Sequence, residues 1–206
     1  MVAKRRRPIT KKKVTIFCEG VGDEKYIQWL NTLEYYDRLS FKALNIKGNG
    51  HFDKINKKIR SLLLSEENAV FCIFMDIDNG VSKKYYESCM KQLKDHDFCE
   101  NPEERIFFTN YSFELFILNH HEDHYCKRAL NKKTYQRDIE KRFGIPEFKG
   151  TEVQWSGLLK KLTIADFENA KQNLTKISIE MSNNPSTNIK YFFDYMMTVN
   201  QSFKTN

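Results

Sequence analysis

Two rhythms of apolar and polar positions run along this chain. Val14, Ile16 and Phe17 form a β-branched and aromatic run that predicts a strand over residues 14–19. Gly20 and Gly22 then permit a tight turn with positive φ. From Asp23 the spacing becomes helical, with Tyr26, Ile27 and Leu30 on one face, and the pattern predicts a helix over 23–38 capped by Asp23. Phe41–Lys47 predicts a second strand, Gly48-Asn49-Gly50 a loop, and His51–Leu64 a helix with Phe52, Ile55, Ile59, Leu62 and Leu63 at helical spacing. Residues 69–75 predict a third strand, Ser82–His96 a helix, and Arg105–Thr109 a fourth strand. This β-α-β-α-β-α-β order predicts an α/β fold with a mostly parallel four-stranded sheet flanked by helices. The remainder reads as helical: Ser112–His121, Lys133–Arg142, a break at Gly144-Ile145-Pro146, and 152–180 with an interruption near Thr163 or Lys171. A turn at Asn183-Asn184-Pro185-Ser186 precedes a last helix through Val199, capped by Ser186 or Thr187. The expected organisation is a basic tail over 1–13, an α/β domain over 14–110 and a helical part over 111–206 packed on the same domain.

The two longest apolar strands both end in acid. Glu19 follows the first, and Asp76-Ile77-Asp78 follows the third. Ligands of open α/β sheets bind at the C-terminal edge of the strands. In extended chain residues two apart point to one side, so Asp76 and Asp78 can aim at one point. Asp-x-Asp-Asn-Gly is also an ordinary turn, and its coincidence with Glu-Gly after a separate strand favours a site. Carboxylate oxygens are hard ligands suited to Mg²⁺ or Mn²⁺. Among cations near the predicted strand ends, Lys25, Lys47, Lys83 and Lys84 are equal candidates to assist.

Three other patterns carry weaker signals. His120, His124 and Cys126 hint at a metal cluster, but no complementary Cys pair exists and a polar helix end explains them as well. His121 could also reach the active edge as a base. Gly48-Asn49-Gly50 reads as a plain turn or as a phosphate cradle before a helix.

Composition then narrows the class. The 206 residues are 40% hydrophobic, enough for a core, and no run approaches a membrane-spanning length. Five cysteines without a Cys-x-x-Cys pair read as reduced, and the chain reads as cytoplasmic with no membrane partner. The net charge of +7 favours polyanionic partners. Seven of the first thirteen residues are Lys or Arg, which fits either a solvated tail or a phosphate-contacting arm.

The acids also carry a resemblance. Glu-Gly-x-x-Asp at 19–23 followed by Asp-x-Asp at 76–78 resembles the TOPRIM domain of topoisomerases, primases and OLD-type nucleases. Asn110-Tyr111-Ser112-Phe113-Glu114-Leu115-Phe116 resembles the Asn-Pro-x-Phe-Glu-Leu-Trp motif of RloB-like proteins, and Asn184-Pro185-Ser186-Thr187-Asn188 their Asn-Pro-Ser-Thr-x-Val segment. The four motifs stand in family order. Tyr111, Phe116 and Ile189 depart from it where Pro, Trp and Val are usual, without touching the carboxylates.

The resemblance implies a TOPRIM-like fold and a metal-dependent nuclease in a prokaryotic phage-defence or restriction-linked system, cutting DNA or RNA, with tRNA among the candidate substrates. It implies catalytic roles for Glu19, Asp76, Asp78 and Glu114, and Mg²⁺ or Mn²⁺ held by Glu19, Asp23, Asp76 and Asp78. Asp23 serves equally as a helix cap. Glu114 stands between Phe113 and Leu115 on an apolar helix, where a carboxylate is costly to bury unless it is paired or on a metal, which favours a site role over an exposed helix face. No Walker A pattern is present, so energy coupling would require a partner ATPase or defence-complex protein. The rival expectation is a non-catalytic TOPRIM-fold module that binds Mg²⁺ and a nucleotide or RNA within such a complex.

Overall fold

The structure, a computed structural model, describes residues 10–46, 52–66, 69–77, 80–110, 112–121, 131–183 and 185–203. Four parallel strands form the body of one sheet: β1 (Lys12–Cys18), β2 (Leu39–Asn45), β3 (Val70–Asp76) and β4 (Ile106–Asn110). A two-residue fifth strand, β5 (Ser186–Thr187), pairs antiparallel with β4. The order across the sheet is β2-β1-β3-β4-β5. The sheet therefore has five strands rather than the expected four, and the fifth falls where a turn and a helix cap were expected.

Side-chain alternation along each strand divides the core in two. Val14, Ile16, Cys18, Cys72, Phe74 and Phe107 face one layer, while Phe17, Phe71, Ile73, Met75, Ile106 and Phe108 face the other. On the second face pack α2 (Phe52–Ser65), through Ile55 and Ile59, and α3 (Gly80–Asp95), through Tyr86, Cys89 and Leu93. The first face is the larger. It carries α1 (Val21–Leu30), α4 (Phe113–Leu118), α5 (Lys132–Phe143), α6 (Glu152–Leu159), α7 (Ile164–Leu174) and α8 (Ile189–Ser202). Cys18, Cys72 and Cys89 are buried free thiols, and burial pushes the thiols of Cys72 and Cys89 up to about 12. No helix among the described residues is long and apolar enough to cross a membrane.

Several boundaries differ from the expected ones for local reasons. The first helix begins at Val21 and stops at Leu30, not at residue 38. Its C-cap Asn31 explains the stop: the side-chain amide donates to the Phe41 carbonyl (2.8 Å) and its oxygen accepts from the Phe41 N–H (2.7 Å). A 3₁₀ turn at Glu34–Tyr36 keeps the next aromatics buried, which is why the periodicity ran on. Neither Gly20 nor Gly22 has positive φ; among the described residues only Gly144 and Gly150 do among the glycines. The break near Thr163 is real. Thr163 caps α7 by accepting from the Asp166 N–H, while the Asp166 carboxylate accepts from Thr163 in return. The basic lead-in is shorter than residues 1–13, because Lys12 and Lys13 belong to β1 and Lys13 is ion-paired with Glu66. Gly48-Asn49-Gly50, His124 and Cys126 lie outside the described residues.

The Ser-Thr-Asn stretch at 186–188 completes the sheet. Asn188 is buried, and its side chain imitates a strand. Its oxygen accepts from the Phe108 N–H (2.6 Å), and its amide donates to the Ile106 carbonyl (2.9 Å). The Thr187 hydroxyl donates to the Phe108 carbonyl (2.6 Å) and accepts from the Ile189 N–H (3.2 Å), so Thr187 supports the start of α8 while Asn188 occupies the cap position. Backbone groups of a buried edge must be paired. Asn188→Ala leaves two of them without partners, so urea unfolding is expected to show a loss of about 2–4 kcal/mol. A loss under about 0.5 kcal/mol would mean that water replaces the amide.

His120 belongs to this core rather than to a metal cluster. It is fully buried, and its Nδ1 lies 3.2 Å from the Phe116 carbonyl and its Nε2 3.1 Å from the Tyr26 hydroxyl. A carbonyl needs a donor, which places the proton on Nδ1 and leaves Nε2 to accept from Tyr26. Burial lowers the His120 pKa from 6.5 to about 4. The depressed folded value means that His120 contributes stability above pH 6.5 and that this is lost as pH falls towards 4. Relative to His120→Gln, wild type is expected to lose roughly 2–3 kcal/mol between pH 7.5 and 4.5. Parallel stability–pH curves for the two proteins would contradict a neutral core histidine.

Candidate functional site

Strand order explains where the site lies. β1 connects outward to β2, and the chain then crosses back past β1 to β3. The C-terminal ends of β1 and β3 therefore border the switch point of the sheet, where loops diverge and leave a crevice. Glu19 follows β1 directly, and Asp76 is the last residue of β3. Alternation places Asp76 on the side of Cys72 and Phe74, the face covered by α1 and α4.

Both helices bring an acid to that crevice. Asp23 sits in the first turn of α1, 5% exposed, and its Oδ2 accepts from the Gly20 N–H (2.9 Å). This is half of a capping box, with no side chain at Gly20 to reciprocate. Glu114 sits in the first turn of α4, 4% exposed, so it does not lie on an exposed face. Its Oε1 accepts from Gln136 (3.3 Å), and Lys132 approaches it at 3.9 Å. Asp76 Oδ1 accepts from the hydroxyl of Thr109 (2.5 Å), its register partner on β4. Anionic side chains in the first turn of α1 and α4 also gain from the helix dipole.

The acids feel one another. Burial raises the Asp23 carboxyl well above the usual range, and the charges of Asp76, Glu19 and Glu114 push it further, against the lowering by the Gly20 N–H. Asp23, Asp76 and Glu114 line a cleft of about 150 Å³ together with Lys132, Lys149 and Trp155. Hollows of 410 Å³ beside α8 and 490 Å³ on the outside of α2 are larger. Neither gathers buried titratable groups, and chemistry needs those more than volume.

Close packing fixes the cleft wall. A Cβ at Gly22 would lie 2.8 Å from the Trp155 ring, and one at Gly20 would lie 3.0 Å from Asp23 Oδ2. These glycines permit approach rather than an unusual backbone. Gly150 has φ of 73°, and its own Cβ would lie 3.2 Å from the Trp155 indole nitrogen.

Of the expected site residues, Asp23, Asp76 and Glu114 share this cleft, and Glu19 acts on Asp23 from the end of β1. Asp78 lies outside the described residues. Among the described residues, no group of three or more His, Cys, Asp or Glu side chains is placed to hold a metal ion. The donor set still fits a hard divalent cation in chemistry: oxygen ligands only, with one carboxyl pushed up by burial and by its acidic neighbours. His121 does not reach the cleft, since its Nδ1 pairs with Asp166 (3.3 Å) on α7. Lys25 is turned to Glu152 (2.5 Å), Lys47 lies outside the described residues, and Lys83 and Lys84 are exposed on α3.

Lys132, Lys149, Gln136, Thr109 and Trp155 were not expected at the site. One signal existed for the first. Lys132 and Lys133 open α5, where a cation opposes the helix dipole. Comparison of the chain with family models, with curated proteins and with solved structures found no match.

Proposed function

We propose that this chain is a divalent-metal-dependent phosphodiesterase acting on DNA or RNA, with a TOPRIM-like reading of its α/β fold. The observation that carries the proposal is the crowding of Asp23 by Asp76, Glu19 and Glu114 at the switch-point edge. Such crowding is unfavourable unless a positive charge is shared among the acids. Glu19, Asp76 and Asp78 would hold Mg²⁺ or Mn²⁺, with Asp23 and Glu114 beside them. A bound divalent ion supplies Lewis-acid polarisation of the phosphate and lowers the pKa of a ligated water.

The protein's own residues supply the rest. Lys132 and Lys149 at the cleft offset the charge of a phosphate group. Thr109 and Gln136 fix the Asp76 and Glu114 carboxylates by hydrogen bonds. Glu19 stands at the strand end, where it can move a proton to or from the reacting oxygens. The RloB-like motifs support a place in phage defence, with any energy coupling supplied by a partner protein.

Asp76→Asn removes a negative ligand at nearly constant volume and keeps an oxygen to accept from Thr109. Cleavage of plasmid, single-stranded DNA and tRNA with Mg²⁺ or Mn²⁺ is expected to fall about 100-fold or more, equivalent to roughly 3 kcal/mol of transition-state stabilisation. The melting temperature should stay near the wild-type value. Wild-type rates in the variant would remove the acidic edge from the chemistry. A wild type that binds Mg²⁺ and a nucleotide but cleaves nothing would instead establish a binding module.

A further inference from the structure

We propose that a nucleic-acid backbone crosses the C-terminal edge of the sheet from the α3 side to the α5 side. Lys83 and Lys84 would hold it on one side, and Lys132, Lys133 and Lys149 on the other. The inference rests on the nuclease reading and adds the path of the substrate.

Placement of charge, not its total, carries the argument. Of 34 Lys and Arg, seven fall in the first thirteen residues, which contain no acid. The other 27 face 27 Asp and Glu, so the body of the chain is formally neutral. Within that neutral body α3, α5 and α8 have no acid in the first turn, and of these only α3 and α5 carry two adjacent lysines near the start. α3 carries Lys83 and Lys84 as its fourth and fifth residues and α5 opens with Lys132 and Lys133, and neither has an acid in its first turn. By contrast α1, α4, α6 and α7 each carry an acid there. Cations at a helix N-terminus work against the dipole, so stability does not account for them.

Both starts lie towards the C-terminal edge of the sheet, on opposite faces, and α5 borders the acidic cleft itself. α3 begins four residues after Asp76 and packs on the face of Tyr86, Cys89 and Leu93. α5 packs on the other face through Tyr135 and Ile139, and Lys132 and Lys149 line the cleft itself. Lys83, Lys84, Lys133 and Lys149 are exposed. Among the described residues none of these four is ion-paired with an acid, while Lys132 has its head 3.9 Å from Glu114. Cations on both sides of a crevice whose floor is acidic suit a chain of phosphates better than one compact anion. Flanking phosphates meet lysine, and one phosphate lies over the acids. Lysines bind such a backbone as point charges and read no bases, so the track accepts DNA or RNA without sequence preference.

The test is fluorescence anisotropy of a labelled DNA single strand, its duplex and an RNA hairpin, titrated with full-length protein in EDTA at several salt concentrations. A variant with Lys83, Lys84, Lys132 and Lys133 changed to Gln is compared with one carrying Lys42, Lys94, Lys141 and Lys160 changed to Gln. Both lose the same charge at exposed positions, and circular dichroism checks the fold of each. The edge variant is expected to lower the slope of log affinity against log salt by up to about 3.6 on duplex, at roughly 0.9 for each of four phosphate contacts. The control should keep nearly the wild-type slope. Equal losses in the two variants, or no binding by wild type at low salt, would overturn the track. Because EDTA prevents metal-dependent cleavage, a protein that binds through these lysines yet never cleaves sinks the nuclease reading and leaves the track standing.

Discussion

Carboxylates crowded at one edge of a sheet repel one another, and the fold around that edge has to hold them in place. Asp23 receives the Gly20 N–H, Asp76 the Thr109 hydroxyl and Glu114 the Gln136 amide. Each acid thus has a neutral donor, and two stand where a helix dipole favours an anion. Neutral donors orient a carboxylate but do not cancel its charge, and burial together with the neighbouring acids still pushes Asp23 upward. An arrangement of this kind is costly as architecture, and buried acids with perturbed titration are what single this edge out as a candidate site.

How much of this could be read from the chain depends on how local the cause is. The strands ending at Cys18 and Asp76 were legible, because buried parallel strands are continuous apolar runs and the acids after them interrupt the run abruptly. The glycines were legible as residues that matter, but the reason was not. Gly22 is small because the Trp155 ring, more than a hundred residues later, presses on it. Glu114 looked expensive on an apolar helix, and burial beside Lys132 and Gln136 resolves that expense. β5 was illegible for a different reason. Two residues have no period, and they form a strand only because β4 has an open edge to cover.

The C-terminal half does more than cover a face of the α/β core. Asn188 and β5 bind it to β4 through paired backbone groups, at the strand whose Thr109 holds Asp76. Trp155 on α6 meets the start of α1 at Gly22, two residues after the Gly20 N–H that fixes Asp23. Lys132 on α5 reaches Glu114 on α4. Both sides of the cleft are therefore set by contacts between the two halves of the chain. A boundary near residue 110 separates two patterns in the sequence without separating two working parts. Cutting there would leave Asp76 on its strand but remove Glu114, Lys132, Lys149 and the aromatic wall. Any chemistry performed at this edge belongs to both halves together.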